Sequence, residues 1–191
     1  MILPIVAYGH PNLRKVAEDI GPDYPGLKEL IKDMHDTMYA SSGVGLAAPQ
    51  VNRSIRLFVI DANVYAVDYP EAKGFKQIFI NPKILELSGP MWTFNEGCLS
   101  VPDIREDIDR ETFVKIRFMD ENFVEHEEVY GGVISRVIQH EYDHLEGILF
   151  VDKVSSLRKV LLKRKLTDIS KGYVNPSYKM IYPLQKKKRR P

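Results

Sequence analysis

His140-Glu141-Tyr142-Asp143-His144 follows the pattern H-E-x-x-H, and it demands a helix at this point in the chain. On a helix, side chains four apart share one face. Both imidazoles then reach one metal ion. Glu141, one residue on, borders the ion's open position without binding there. That is the layout of a hydrolytic metal site, with two ligands and a general base for the water at the open position. Val137, Ile138, Leu145, Ile148 and Leu149 make the flanks apolar enough to be buried. Uncompensated His and Glu would be costly there. The alternative is a half-buried surface pair of histidines.

A site with two histidines needs a third protein ligand. Cys98, in Glu96-Gly97-Cys98-Leu99-Ser100, is the sole cysteine. A thiolate suits zinc or ferrous iron, whereas a lone cysteine is more often a small buried hydrophobe. The turn-forming and polar neighbours of Cys98 do not read as a core strand. No histidine follows His144, and the acids downstream are Glu146, Asp152 and Asp168. Glu146 is too close along the helix, and the other two lack a supporting motif. Asp143, beside a ligand, reads either as an acceptor for an imidazole N–H or as a solvent-facing acid.

At 191 residues and 44% hydrophobic content, the chain is long enough for one substantial core. No apolar run approaches membrane-spanning length, and the N-terminus lacks the series expected of a secretory signal. A single cysteine rules out an internal disulfide and fits a reducing, cytoplasmic setting. The net charge of +1 hides an asymmetry. From Lys153 onward there are thirteen Lys or Arg against one acid, leaving residues 1–152 at −11. The expected organisation is one catalytic domain over 1–175 and a basic tail over 176–191, solvated and disordered. The run Lys186 to Arg190 also suits weak contact with the ribosome or rRNA.

Apolar spacing predicts a helix over Leu27–Tyr39 and a short strand over Ile55–Ile60. A second extended stretch runs from Gly74 to Leu87, interrupted at Pro82. Thr112–Met119 and Phe123–Tyr130 read as a hairpin around Asp120-Glu121-Asn122. The metal helix follows to about Leu145, with Gly147 as its stop. Ser155 to about Ser170 is a last helix, with two partial apolar stripes. Strands in blocks before the main helix indicate α+β.

Gly43-Val44-Gly45-Leu46-Ala47-Ala48-Pro49-Gln50, Glu96-Gly97-Cys98-Leu99-Ser100 and Gln139-His140-Glu141-Tyr142-Asp143-His144 stand in this order. Together with Tyr8-Gly9-His10-Pro11-Asn12-Leu13-Arg14, they make the chain resemble peptide deformylase from about Ile5 to Val151. The resemblance implies mostly antiparallel sheets packed around a central metal-binding helix, with a C-terminal helix. It implies removal of the formyl group from the formyl-methionine of new polypeptides, by attack of a metal-held water. The implied metal is Fe2+, which Zn2+, Ni2+ or Co2+ can replace. Carried onto these residues, the ligands are Cys98, His140 and His144, and the general base is Glu141. Gln50 and the backbone N–H of Leu99 stabilise the oxyanion. Val44, Gly45 and Gly97 resemble the backbone positions that pair with the peptide, and Phe94, Val133 and Val137 are the apolar candidates for the methionine pocket. The resemblance also pairs Glu96 with Arg110.

Two positions depart from the family's usual pattern. Asp103 stands where glycine is common, and Arg136 stands near the methionine pocket where some members carry an apolar residue. Two rival readings remain in view. One is an H-E-x-x-H metallopeptidase, which calls for a Glu or His third ligand. The other is a basic-tailed RNA-binding module with a structural metal, which calls for a fourth Cys or His.

Overall fold

The computed structural model describes residues 1–184. Two-residue strand β1 (Ile5–Val6) leads into α1 (Leu27–Ala40), one residue longer than its apolar spacing predicts. α1 buries Leu27, Ile31, Met34 and Met38, the i, i+4, i+7 and i+11 positions of one face. Strands β2 (Gly45–Ala47), β3 (Leu57–Asp61), β4 (Lys76–Cys98), β5 (Val101–Met119) and β6 (Glu125–Gly131) follow. They form one antiparallel sheet in the order β2-β3-β4-β5-β6. α2 (Gly132–Leu145), α3 (Ser156–Lys171) and β7 (Met180–Ile181) complete the described chain.

The class is α+β, as expected, and α2 is its hub. Ten of its residues are buried, among them polar Ser135, Arg136, Gln139, Glu141 and His144. A helix buried on nearly every side must satisfy each polar group it carries. Its apolar side packs Val133, Ile134, Val137, Ile138 and Leu145 against Phe58, Phe79 and Phe118 of the sheet. Gly147, at φ +69°, ends the helix as predicted.

The structure corrects the reading of the strands in two places. β4 passes through Pro82 as one strand, absorbing the proline in a register shift between Ile80 and Lys83, with Asn81 at φ +49°. Bulges of this kind are where a sheet accommodates residues that cannot pair. β4 and β5 also form a long hairpin reaching back to Cys98 and Val101, of which only the far end was predicted. Around residue 175 the chain does not leave the body. β7 pairs in parallel with β1, Ile5 opposite Met180 and Val6 opposite Ile181. Lys186 to Arg190 lie outside the described residues. Among the described residues no helix is long and apolar enough to cross a membrane.

Candidate metal centre

α2 carries His140 and His144 one turn apart, with ring centroids 5.3 Å from each other. Cys98 arrives from the tip of the β4–β5 hairpin, where it pairs with Val101 across a tight turn. Its Sγ lies 3.3 Å from His144 Nε2. One donor atom from each of Cys98, His140 and His144 lies within 4.8 Å of the others. One thiol from the hairpin and two imidazoles from α2 offer the three ligand atoms that a tetrahedral ion with an open fourth position needs. The three residues singled out in the sequence as ligands are therefore brought together.

Glu96 organises this cluster. It sits two residues before Cys98 on the same strand, so both side chains leave the same face. Its Oε2 is 2.8 Å from His140 Nδ1, which turns His140 Nε2 toward the thiol. The same carboxylate takes a bidentate pair from Arg110, at 2.7 and 3.0 Å. It takes a third bond from Arg136 Nη1 at 3.0 Å. Burial opposes the charge on Glu96, but the hydrogen bonds from His140 and Arg110 outweigh it and hold the carboxyl well below its usual range. The pair predicted between Glu96 and Arg110 is thus present and buried, 4% exposed on both sides. Removing one member of such a buried cluster typically costs several kcal/mol, because its partners stay charged and unpaired.

Asp143 does not accept from an imidazole. It takes Arg110 Nη1 at 2.7 Å and Lys153 Nζ at 3.3 Å. Glu96 fills the imidazole role instead, a long-range contact that helical spacing could not disclose. The two imidazoles have opposite tendencies. Burial pushes both down, but the Cys98 and Glu96 neighbours overcome this at His140 and raise it well above normal. His144 is held well below normal by burial and by the charge of His140.

Glu141 is 4% exposed, and its Oε2 has no hydrogen-bond partner among the described residues. Burial pushes its carboxyl up to about 7. An acid held near neutrality is suited to taking and returning a proton. Gly45 lies against it, and a Cβ there would collide with Glu141 Oε1. Gly45 is therefore required by the neighbouring carboxylate, and it lies on β2, an edge strand of the sheet. Gln50 is 2% exposed and anchored, its Oε1 accepting from Ala47 N–H at 2.8 Å. Its Nε2 points at Cys98 Sγ and Ser100 Oγ, at 3.4 and 3.3 Å.

Gly45, Gln50, Glu96, Cys98, His140 and Glu141 line one cleft of about 510 Å³, together with Val44, Gly97, Leu99, Phe94 and Val137. That volume suits a small-molecule or peptide-end site. Val133 is fully buried, one turn before Val137 on α2, and does not itself line the cleft. Tyr65 was missed. It lines the cleft and meets Phe94 edge-on, with centroids 6.1 Å apart. Arg136 is 2% exposed and stacks over Trp92 and Phe94, at 5.2 and 5.8 Å. It thereby serves both the pocket wall and Glu96. Asp103 has φ +61°, which explains why glycine suits that position and why Asp, which tolerates left-handed backbone, can replace it.

A buried H-E-x-x-H helix, a cysteine beside both of its histidines and an unpartnered carboxylate beside an open cleft fit a metallohydrolase. The family model described as polypeptide deformylase matches residues 2–160. The chain belongs to that family, whose members are metal-dependent hydrolases that take the N-formyl group from new polypeptides. Peptide deformylase of Christiangramia forsetii is 54% identical, covering 99% of this chain and 100% of the relative. That of Flavobacterium johnsoniae is 53% identical over the same shares. Among solved structures, peptide deformylase of Plasmodium falciparum superposes with a TM-score of 0.79 at 40% identity, over 88% of this chain and 96% of that one. A Met-Ala-Ser-bound enzyme from Acinetobacter baumannii gives 0.74 at 37% identity, over 81% and 99%.

Proposed function

We propose that this chain deformylates nascent peptides with one ion held by Cys98, His140 and His144, Glu141 as general base, and Gln50 with Leu99 N–H as the oxyanion site. The observation that carries the reading is the convergence of the three donors within 4.8 Å beside a buried, unpartnered Glu141. When bound, a divalent ion supplies Lewis acidity, making a water nucleophilic and the formyl carbonyl electrophilic. The residues do the rest. Glu141 takes a proton from the attacking water and returns it to the leaving amine. Gln50 Nε2 and the Leu99 N–H donate to the oxygen that gains charge; such a donor is worth about 3 kcal/mol elsewhere.

The peptide would lie between the free edge at Val44–Gly45 and the strand end at Gly97, pairing as an added strand. Phe94, Val137 and Tyr65 offer apolar walls for the methionine side chain. The Acinetobacter baumannii relative holds Met-Ala-Ser, the product such a substrate would leave. Formyl-Met-Ala-Ser should therefore release formate, while a casein substrate stays uncut in the same preparation. Casein cleavage at a comparable rate would favour the metallopeptidase reading instead.

We assign Fe2+ as the ion in cells, since thiolate with two imidazoles suits ferrous iron as well as zinc, and the cytoplasm as the setting. Protein purified without oxygen should carry iron, and zinc in its place would refute the assignment. The thirteen-to-one basic excess from Lys153 onward supports weak contact with ribosomal RNA. Five of these basic residues, Arg158, Lys159, Lys163, Arg164 and Lys165, are exposed on α3. Co-sedimentation with ribosomes should fall steeply with salt and decline when Lys186–Arg190 are trimmed. Equal sedimentation of trimmed and intact protein would reduce the run to a solubilising tail.

A further inference from the structure

The last described segment is built into the catalytic cleft. Ile5 N–H donates to the Lys179 carbonyl and Ala7 N–H to the Ile181 carbonyl, both at 2.9 Å. Anchored so, Asn175 to Tyr178 form part of the cleft wall. Tyr178 then reaches the turn between β4 and β5, where its phenol O–H donates to the Leu99 carbonyl at 2.8 Å. Burial pushes that phenol well above its ordinary range, so it remains a donor throughout the working pH.

The same turn is gripped at two further points. The Ser100 carbonyl accepts from Tyr8 N–H at 2.8 Å, and Ser100 Oγ accepts from Gln50 Nε2 at 3.3 Å. The Leu99 side chain closes the set, its Cδ1 lying 2.9 Å from where a Cβ on Gly43 would stand. A two-residue turn held at one carbonyl alone could still rock about Leu99. A bond to the Leu99 carbonyl as well pins the peptide plane that follows Leu99, leaving only that residue's own φ and ψ between the pinned plane and its N–H. Oxyanion stabilisation depends on donors that need no reorganisation at the moment of reaction.

We propose that Tyr178 is a positioning residue for deformylation, its hydroxyl fixing the Cys98–Ser100 turn so that the Leu99 N–H is aimed at the developing oxyanion. This rests on the oxyanion role given to Leu99 and Gln50. The C-terminal segment, carrying none of the recognisable motifs, thereby becomes part of the active site.

The test is Tyr178→Phe, which removes one hydroxyl and leaves the ring, assayed on formyl-Met-Ala-Ser beside Gln50→Leu and the double variant. Losing one neutral hydrogen bond that acts through geometry should lower kcat about three- to tenfold. KM should stay within about twofold and metal content should be unchanged. Because both residues serve one oxyanion, the double variant should lose less than the product of the single losses. Unchanged kcat in Tyr178→Phe, beside a clear loss in Gln50→Leu, would overturn the positioning role and leave the oxyanion reading standing. Unchanged kcat in both would overturn the oxyanion reading, and the proposal with it. A rise in KM alone, or loss of metal, would also overturn it, by assigning the hydroxyl to substrate binding or to the Cys98 ligand.

Discussion

Replacing Glu141 by Gln lowers formate release by at least about 10²-fold while the metal content stays at the wild-type level. The two halves of this expectation rest on different observations. Glu141 is not among the three converging donors, so the ion does not depend on it. Gln is nearly isosteric and fits the same space against Gly45, where a Cβ would already collide with the carboxylate. What Gln cannot do is accept a proton from water. In the wild type the Glu141 Oε2, which has no partner among the described residues, is the atom free to do so. Turnover within a few-fold of wild type, with metal bound, would remove Glu141 from its role.

Cys98→Ala has the other large effect, on the metal itself. Losing partners of ligands, without touching a ligand, typically weakens metal binding about 10- to 100-fold, so losing a ligand should exceed that range. The variant should keep its fold, since Glu96, Arg110 and Arg136 hold the hairpin independently of the thiol. Metal analysis after dialysis against a weak chelator should find it nearly metal-free beside a loaded wild type. Stoichiometric metal in the variant would refute Cys98 as a ligand.

Much of this site was legible because its chemistry is written in short, local patterns. His140 and His144 are one turn apart, and the spacing alone places them on one face. The lone Cys98 and the Gly43–Gln50 segment gained meaning from standing in order with that helix. The helices were legible too, α1 and α2 nearly to their ends. α3 was ambiguous because both of its stripes are apolar. The structure buries Leu162, Leu166 and Ile169 and leaves Leu157, Val160 and Leu161 exposed.

What stayed hidden was written in charged residues that face inward. β5 alternates buried and exposed residues from Ile104 to Arg110, yet the inward positions include Glu106 and Arg110. Each is charged because its partner is distant in sequence: Arg158 for Glu106 and Glu96 for Arg110. Period-two apolar alternation therefore failed to show the strand. Glu96 as the acceptor for His140, in place of Asp143, was hidden for the same reason. β1 and β7 are two residues each and lie at opposite ends of the chain, so no local pattern could pair them. With them went the role of Tyr178.

The central claim is that one ion at the Cys98–His140–His144 centre drives deformylation. It is tested most directly by stripping the protein of metal and titrating Fe2+ back without oxygen, following formate released from formyl-Met-Ala-Ser. The account predicts negligible release at the start, a linear rise, and a break at one equivalent per chain. Full release by the stripped protein, or a rate that ignores added metal, would contradict it.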